Sequence, residues 1–304
     1  MIGHVVRRLA AILPLVLLLA FSTFLLLQLA PGGPFDAERN FPPEIQKQLE
    51  ARFSLDAPWY EQFGTYIVGL ADGTLPSMKR PGLTVGELIG SSFPVSLTLG
   101  TLAMGFALCL GITSGIIGAI RQNSIWDWST MSVALIGISV PNFVLGPLLI
   151  LIFALGLGWV PPARWEGLET MILPAVTLGL AYAAYIARLT RAGMLEVIRT
   201  DFVRTARAKG LAEHVVVIRH ALRGALLPVI TYLGPATARI ITGTVVIEKI
   251  FQVPGLGYYF VQSALDRDYS MVLGVVCFYA SILMVLNLLV DIAYTWLDPR
   301  VKLA

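Results

Sequence analysis

Charge and cysteine are what this sequence has least of. Of its 304 residues only 13% are Asp, Glu, Lys or Arg, whereas 56% are hydrophobic and the mean hydropathy is +0.76. An ordinary soluble domain carries about 25% charged residues, so lipid is the expected solvent for most of this chain. The two cysteines, Cys109 and Cys277, sit inside apolar runs, which excludes a disulfide framework or a cysteine metal cluster and leaves them as packing residues. The histidines, His4, His214 and His220, lack metal-ligand spacing. No Ser/His/Asp or Cys/His arrangement converges, and Glu248, Asp291 and Asp298 fall near the ends of apolar runs where hydration is at hand, so an intramembrane enzyme is not supported. The sequence contains no G-x-x-x-x-G-K-[ST] phosphate loop, and no basic patch interleaved with aromatics that would read nucleic acid.

What is there is a series of long apolar runs. A helix needs about 20 apolar residues to cross roughly 30 Å of hydrocarbon. Leu9–Leu29, Leu97–Ile120, Met131–Trp159, Met171–Ala187, Leu226–Ile247 and Met271–Val290 meet that requirement, the fifth interrupted by Pro235 and Arg239. The first is too long for a signal peptide and has no small-residue cleavage site before Pro31, so it is expected to be a retained anchor. Ser139-Val140-Pro141-Asn142 and Pro147 raise the question of whether the third run crosses once or twice. Eight Lys and Arg between Arg188 and Arg223, against Glu196, Asp201 and Glu213, belong in the cytoplasm by the positive-inside rule, as do Arg7-Arg8. Both sets share one side only if the third run is a single kinked span. Six spans follow, with both termini cytoplasmic.

Pro31–Phe93 then faces outward, and its acids outnumber its bases. Pro42-Pro43-Glu44 with Ile45, Leu49 and Phe53 predicts a short amphipathic helix there, and Thr84-Val85-Gly86-Glu87 opens a short apolar stretch leading into the second span. Trp59, Trp126, Trp128, Trp159, Trp165 and Trp296 stand near span ends, as an interfacial belt requires.

The long inner segment is patterned rather than loose. Met194, Ile198, Phe202 and Ala206 recur at about one helical turn, and Leu211, Val215, Ile218 and Leu222 do so after Gly210. Two amphipathic helices are expected to meet at that glycine. Their arginines suit either anionic headgroups or an acidic groove on a protein partner.

The order of residues here carries more. Arg204-Thr205-Ala206-Arg207-Ala208-Lys209-Gly210-Leu211, then Arg219-His220-Ala221-Leu222-Arg223 and Leu226-Leu227-Pro228-Val229-Ile230, resembles the cytoplasmic "EAA" motif of ABC importer permeases in its peptide-transporter form. That motif begins with Glu where this chain has Arg204, so a salt bridge through the acid is not carried over. Further similarity extends along nearly the whole chain: Arg7-Arg8-Leu9, Leu29-Ala30-Pro31-Gly32, Ser91-Ser92-Phe93-Pro94, Met171-Ile172-Leu173-Pro174, Arg188-Leu189-Thr190-Arg191, Pro254-Gly255-Leu256-Gly257, Asp266-Arg267-Asp268-Tyr269 and Asp298-Pro299-Arg300. The short loop Pro161–Thr170 makes the pattern most similar to the B-type permeases of oligopeptide importers.

The resemblance implies an all-α integral membrane protein of the type I ABC importer permease kind. Residues 1–30 would form the cytoplasmic N-terminus and first span, 31–93 an extracytoplasmic loop, and 94–304 a five-helix core holding the coupling loop 188–225. A coupling helix at roughly Asp201–Val217 would seat in a cytoplasmic ATPase subunit, with Gly210 allowing its change of direction. Implied partners are a second permease subunit, two ATP-binding subunits that alone hold ATP and Mg, and an extracytoplasmic peptide-binding protein. Cargo would be oligopeptides, or dipeptides, glutathione, nickel or another small solute, and the site would be the bacterial inner membrane. The resemblance also implies that Pro254-Gly255-Leu256-Gly257 opens a shallow re-entrant element beneath the binding protein, the alternative being a plain surface hairpin.

From the residues themselves, Arg239 is the outstanding site. A guanidinium inside a span costs on the order of 2.5 to 3.5 kcal/mol on insertion scales. It therefore lines the translocation path, meeting peptide carbonyls or a carboxylate, or pairs with another subunit's acid or with helix carbonyls beside Pro235. Gly111-Ile112-Thr113-Ser114-Gly115, and Gly100 with Gly105, predict close helix packing.

Overall fold

The computed structural model describes residues 2–35, 51 and 53–297, among which the chain is helical, with one isolated antiparallel bridge, Pro76 to Thr84. The amphipathic helix expected at Pro42–Leu49, Trp296 and Asp298-Pro299-Arg300 lie outside what is described, the tryptophan by its side chain. The chain forms two compact units, one from the residues up to Ser96 with those from Pro254, the other Leu97–Val253.

In the first unit, α1 (Ile2–Leu29) lies against α12 (Tyr269–Leu297), and Arg8 pairs with Asp291. The start of one helix therefore meets the end of the other. Helix α2 (Trp59–Ala71) packs on α1 through Phe24, whose ring centroid lies 5.5 Å from Phe63 and 6.0 Å from Tyr66. Gln62 is buried there but satisfied: its Nε2 donates to the Leu55 and Ala57 carbonyls at 2.9 and 2.8 Å, and its Oε1 accepts from Gln28 at 2.7 Å. Burial holds the Tyr66 phenol above its usual range. A small hairpin follows, closed by Ser77 N–H to Leu83 O at 3.0 Å and Val85 N–H to Leu75 O at 2.8 Å. It runs into α3 (Val85–Ile120) through a capping box, in which Thr84 N–H donates to Glu87 Oε2 at 2.8 Å and Glu87 N–H to Thr84 Oγ1 at 3.2 Å.

Helix α3 is continuous for 36 residues, about 54 Å at 1.5 Å per residue. That exceeds a bilayer, so the stretch opened by Thr84 is not a separate element but the first part of the helix that carries the second apolar run, with Pro94 inside it. The unit closes with α11 (Leu256–Leu265), too short to cross, and α12.

The second unit continues α3 and adds α4 (Ile125–Ser139), α5 (Asn142–Leu149, prolonged by a π-helical stretch to Gly156), α6 (Leu168–Val197), α7 (Asp201–Ala208), α8 (Glu213–Ala225), α9 (Leu227–Thr242) and α10 (Val245–Phe251). Four helices, α1, α3, α6 and α12, are long and apolar enough to cross a membrane, and the bent pairs α4–α5 and α8–α9 bring the total to as many as six.

The third run breaks where expected, between Ser139 and Asn142, but by 112° rather than by a gentle kink. Its course follows from its neighbour. Asp127 at the start of α4 pairs with Arg191 near the end of α6, and Gly137 faces Leu180 and Ala184 at the middle of α6, so the helices are antiparallel. Gly146 of α5 then sits only beside Thr177. The segment climbs along α6 and turns across it. Two proline rings explain the break: Pro141 has no N–H to extend α4, and Pro147 frees a carbonyl inside α5.

Small residues set the closest approaches. A Cβ at Gly115 would stand 2.6 Å from Ala187 O and 2.5 Å from Thr190 Cβ, and one at Gly111 2.7 Å from Ala183 O. The predicted packing therefore holds at Gly111 and Gly115, whereas Gly100 has only ordinary contacts and Gly105 faces open space. Cys109 is exposed rather than packed.

Candidate functional site

The inner segment forms a projection built on α6. Helix α7 has eight residues, and only Val203 and Ala206 are buried, against Met194, Val216, Val217 and Ala221. Gly210 has φ +75°, a left-handed conformation that reverses the chain between α7 and α8 without crowding a Cβ. Arg207 bridges the reversal, holding Glu213 through two hydrogen bonds of 2.7 and 3.1 Å, and this keeps the Glu213 carboxyl below its usual range. Arg204 and Asp201 approach to 3.4 Å with both side chains in solvent. Of the residues 204–214, only Ala206 is buried.

The expected apolar face is partly misplaced. Phe202, Leu211 and Ile218 are exposed by 53%, 40% and 62%. For Ile218 the cause is the π-helical stretch Val216–Ala221 in α8, whose wider turn delays the register and swings Val216, Val217 and Ala221 inward; Phe202 and Leu211 precede it, and on α7 the buried pair is Val203 and Ala206. Two helices flank Gly210, not one from Asp201 to Val217, and the exposed apolar side chains sit beside the arginines.

Beneath the projection is a clamp not singled out from the sequence. Asp127, 4% exposed, receives Arg191 Nε at 2.6 Å and Nη2 at 2.7 Å, and Asn123 N–H at 3.0 Å. Ser124 caps α4. Gly118 makes room, since a Cβ there would lie 3.1 Å from Asp127 Oδ1 and 3.4 Å from Arg191 Cδ. A bidentate guanidinium–carboxylate pair is among the most directional contacts available, and it joins the α3–α4 turn to α6 six residues before that helix ends. The Asp four residues after Asn123 in a turn was the available signal, but its partner lies 64 residues away.

Arg239 is exposed on α9 and makes no ion pair or side-chain hydrogen bond among the described residues. The carbonyls near Pro235 do not hold it; its own carbonyl accepts from Gly243 N–H at 2.7 Å. Glu248, expected at a hydrated span end, is fully buried in α10.

In the first unit, Pro254-Gly255-Leu256-Gly257 is the N-terminus of α11, with Leu256 and Gly257 buried and Leu256 N–H donating to Ser96 Oγ at 2.8 Å. Asp268, 1% exposed, is a hub. Its carboxylate accepts from Ser77 Oγ, from Met78 N–H and Met271 N–H at 3.1 Å each, and from Lys79 N–H at 3.4 Å. Tyr269 Oη donates to Gly32 O at 3.1 Å.

An all-helical chain of apolar spans carrying an exposed, basic projection at one end has the form of a membrane transport subunit. Residues 111–303 match the family model for the binding-protein-dependent transport system inner membrane component, and the chain belongs to that family. It is 46% identical over 305 residues to the oligopeptide transport system permease protein OppB of Haemophilus influenzae, covering 99% of this chain and 100% of the relative. With the dipeptide transport system permease protein DppB of Bacillus subtilis the identity is 43% over 304 residues, covering 100% and 99%. Among solved structures, an inward-facing form of the MetNI methionine ABC transporter superimposes with TM-score 0.53 at 19% identity, over 71% of this chain and 96% of that one. The fold is that of a type I ABC importer permease, and the protein is a multi-pass component of the inner membrane.

Proposed function

We propose that this chain lines half of the translocation path of an ATP-driven importer of oligopeptides. A second permease subunit lines the other half, two ATP-binding subunits engage the cytoplasmic face, and an extracytoplasmic peptide-binding protein delivers cargo. Full-length identity with peptide permeases supports peptides over glutathione, nickel or another small solute. The chain itself is not an enzyme and binds neither ATP nor Mg.

The observation that carries this reading is the projection itself. Arg204-Thr205-Ala206-Arg207-Ala208-Lys209-Gly210-Leu211 stands out from the bundle, Ala206 alone buried, with Phe202 and Leu211 exposed among cations. Such a surface suits an acidic groove with an apolar floor on an ATPase. Its underside is fixed to α6 through Met194 and to α8 through Val216, so a push on it moves helices rather than a loop. Rocking of the bundle about a closed path is then alternating access. Arg239 lines that path, and α11, opening at Pro254-Gly255-Leu256-Gly257, is a re-entrant element on the outer side. The Arg8–Asp291 pair puts the two ends of the described chain together, and with Arg7-Arg8 and the basic projection this supports cytoplasmic termini.

The test is reconstitution. Two ATPase chains are expected to copurify, and proteoliposomes are expected to take up peptide only with ATP. Gly210→Val, which forces a β-branched residue to φ +75° at a cost of about 1–2 kcal/mol, lowers uptake several-fold, while Gly210→Asn retains it. Uptake by the purified chain alone, driven by a pH gradient without ATP, overturns the reading.

A further inference from the structure

One face of the second unit is polar where hydrocarbon depth is expected. Tyr182, Tyr185 and Arg188 follow one another at three-residue spacing on α6, and Tyr232, Pro235 and Arg239 share a face of α9. The two rows join where the Tyr185 and Tyr232 rings stack, 5.8 Å apart and 26° from parallel. Tyr185, Arg188 and Arg239 are exposed, and neither guanidinium has an acidic partner among the described residues. The three phenols likewise make no hydrogen bond there. Below the stacked pair, a groove of about 470 Å³ is lined by Met131, Tyr185, Arg188, Leu189, Arg191 and Ala192. Arg191 is committed to Asp127, so Arg188 is the groove's available cation.

The opposite side of α6 provides the contrast. There a hollow of about 220 Å³ is lined by Leu110, Val133, Leu180, alanines and the hydroxyl residues Ser114, Ser129 and Thr130, with no charged side chain, a surface lipid tails can cover. Turning the tyrosine–arginine face to lipid instead would cost on the order of 2.5 to 3.5 kcal/mol for the Arg239 guanidinium alone, Arg188 standing at the end of the span. That face therefore meets water or a polar occupant.

We propose that Arg239, Tyr182, Tyr232, Tyr185 and Arg188 form a subsite for peptide cargo that runs from Arg239 within a span to Arg188 at the inner end of α6, in which a guanidinium takes the free α-carboxylate and the phenols donate hydrogen bonds to backbone carbonyls. The inference rests on the reading of this chain as a peptide permease and adds what the path recognises. Guanidinium and carboxylate match in charge and in bidentate geometry. Phenol donors read the peptide backbone, which every peptide shares, and ignore side chains. A site built this way passes cargo of varied sequence while favouring a free C-terminus.

The experiment uses the full complex in proteoliposomes and compares uptake of one peptide with uptake of its C-terminal amide. The binding protein is unchanged throughout, so only the change in the acid-to-amide ratio between variants counts. Arg188→Gln and Arg239→Gln are expected to lower uptake of the acid about tenfold while leaving the amide nearly unchanged, as loss of a charge-assisted contact predicts. Arg239→Lys, which keeps the charge, retains a preference for the acid. Tyr185→Phe with Tyr232→Phe lowers both peptides equally. An unaltered acid-to-amide ratio in both glutamine variants overturns the subsite while leaving peptide transport standing; absence of ATP-driven uptake of either peptide by the wild-type complex overturns the permease reading itself. A second readout fixes the occupant. In a chain with Cys109→Ser and Cys277→Ser, Tyr185→Cys is expected to react with a water-soluble methanethiosulfonate and to be protected by peptide. Crosslinking of that cysteine to the second permease subunit, without such protection, overturns the proposal.

Discussion

Gly193 is the point at which the projection is fastened to the long helix beneath it, and replacing it by Ala tests that connection. A Cβ at residue 193 would lie 2.5 Å from the Ala225 carbonyl oxygen, 3.1 Å from its Cα and 3.2 Å from its carbonyl carbon. All three are backbone atoms, so no side chain can rotate away. Carbon–oxygen contacts settle at about 3.3 Å or more, and α6 and the end of α8 must separate by roughly 0.8 Å. Overpacking of this kind costs about 1–3 kcal/mol, while Ala in place of Gly within a helix returns at most about 1 kcal/mol. The clash wins, with a net loss of about 1 kcal/mol. Thermal unfolding of the solubilised complex should therefore fall below wild type for Gly193→Ala but not for Gly105→Ala, where a Cβ meets open space. Since Ala225 ends α8 just before the 54° bend into α9, the displacement also loosens the projection, and peptide moved per ATP hydrolysed should drop. A Gly193→Ala complex as stable and as tightly coupled as its Gly105→Ala counterpart would refute the reasoning.

Asp127→Asn leaves Arg191 without its counter-charge; removing one partner of a buried pair costs about 3–5 kcal/mol, and with a quarter of the Arg191 side chain exposed about 2 kcal/mol is expected, with uptake partly restored in the exchanged pair Asp127→Arg with Arg191→Asp. Asp268→Ala strips the acceptor from Ser77 and from three backbone N–H groups, at about 1 kcal/mol or more each, so limited proteolysis should cut the Leu75–Thr84 hairpin in the variant and not in wild type. The Glu213 carboxyl is held below its ordinary value of 4.5 by Arg207. Its stabilisation is therefore complete above about pH 4.5 and is lost as pH falls through the lower folded value. Both side chains are exposed, so the effect stays under about 1 kcal/mol; protection of the Gly210 and Leu211 N–H groups, taken against the intrinsic exchange rate at each pH, should fall over that acidic range in wild type and not in Glu213→Gln.

Much of the fold was legible because hydrocarbon imposes a length rule. The runs at Leu9, Leu97, Met171 and Met271 all emerged as spans, and the break at Ser139–Asn142 was marked by its proline. The angle of the break was not legible, because it is set by how α5 packs across Thr177 and Phe251. In the projection, Gly210 announced the reversal, but the inward face of α8 was read one register off, since an α-helical period cannot anticipate the π turn there. The Asp127–Arg191 clamp and the Asp268 hub escaped altogether. Each joins residues far apart in sequence, and a lone acid beside a span shows nothing of a partner brought to it by tertiary packing.

The hub at Asp268 also bears on the order of assembly. Its hydrogen bond to Ser77 closes a loop of 191 residues, and the unit it belongs to is built from the two ends of the chain. During synthesis Leu97–Val253 emerges complete, whereas the earlier Leu75–Thr84 hairpin must wait for a carboxylate made 191 residues after Ser77. Closure of the Leu75–Thr84 hairpin on Asp268 accordingly follows the appearance of α12 rather than that of α1.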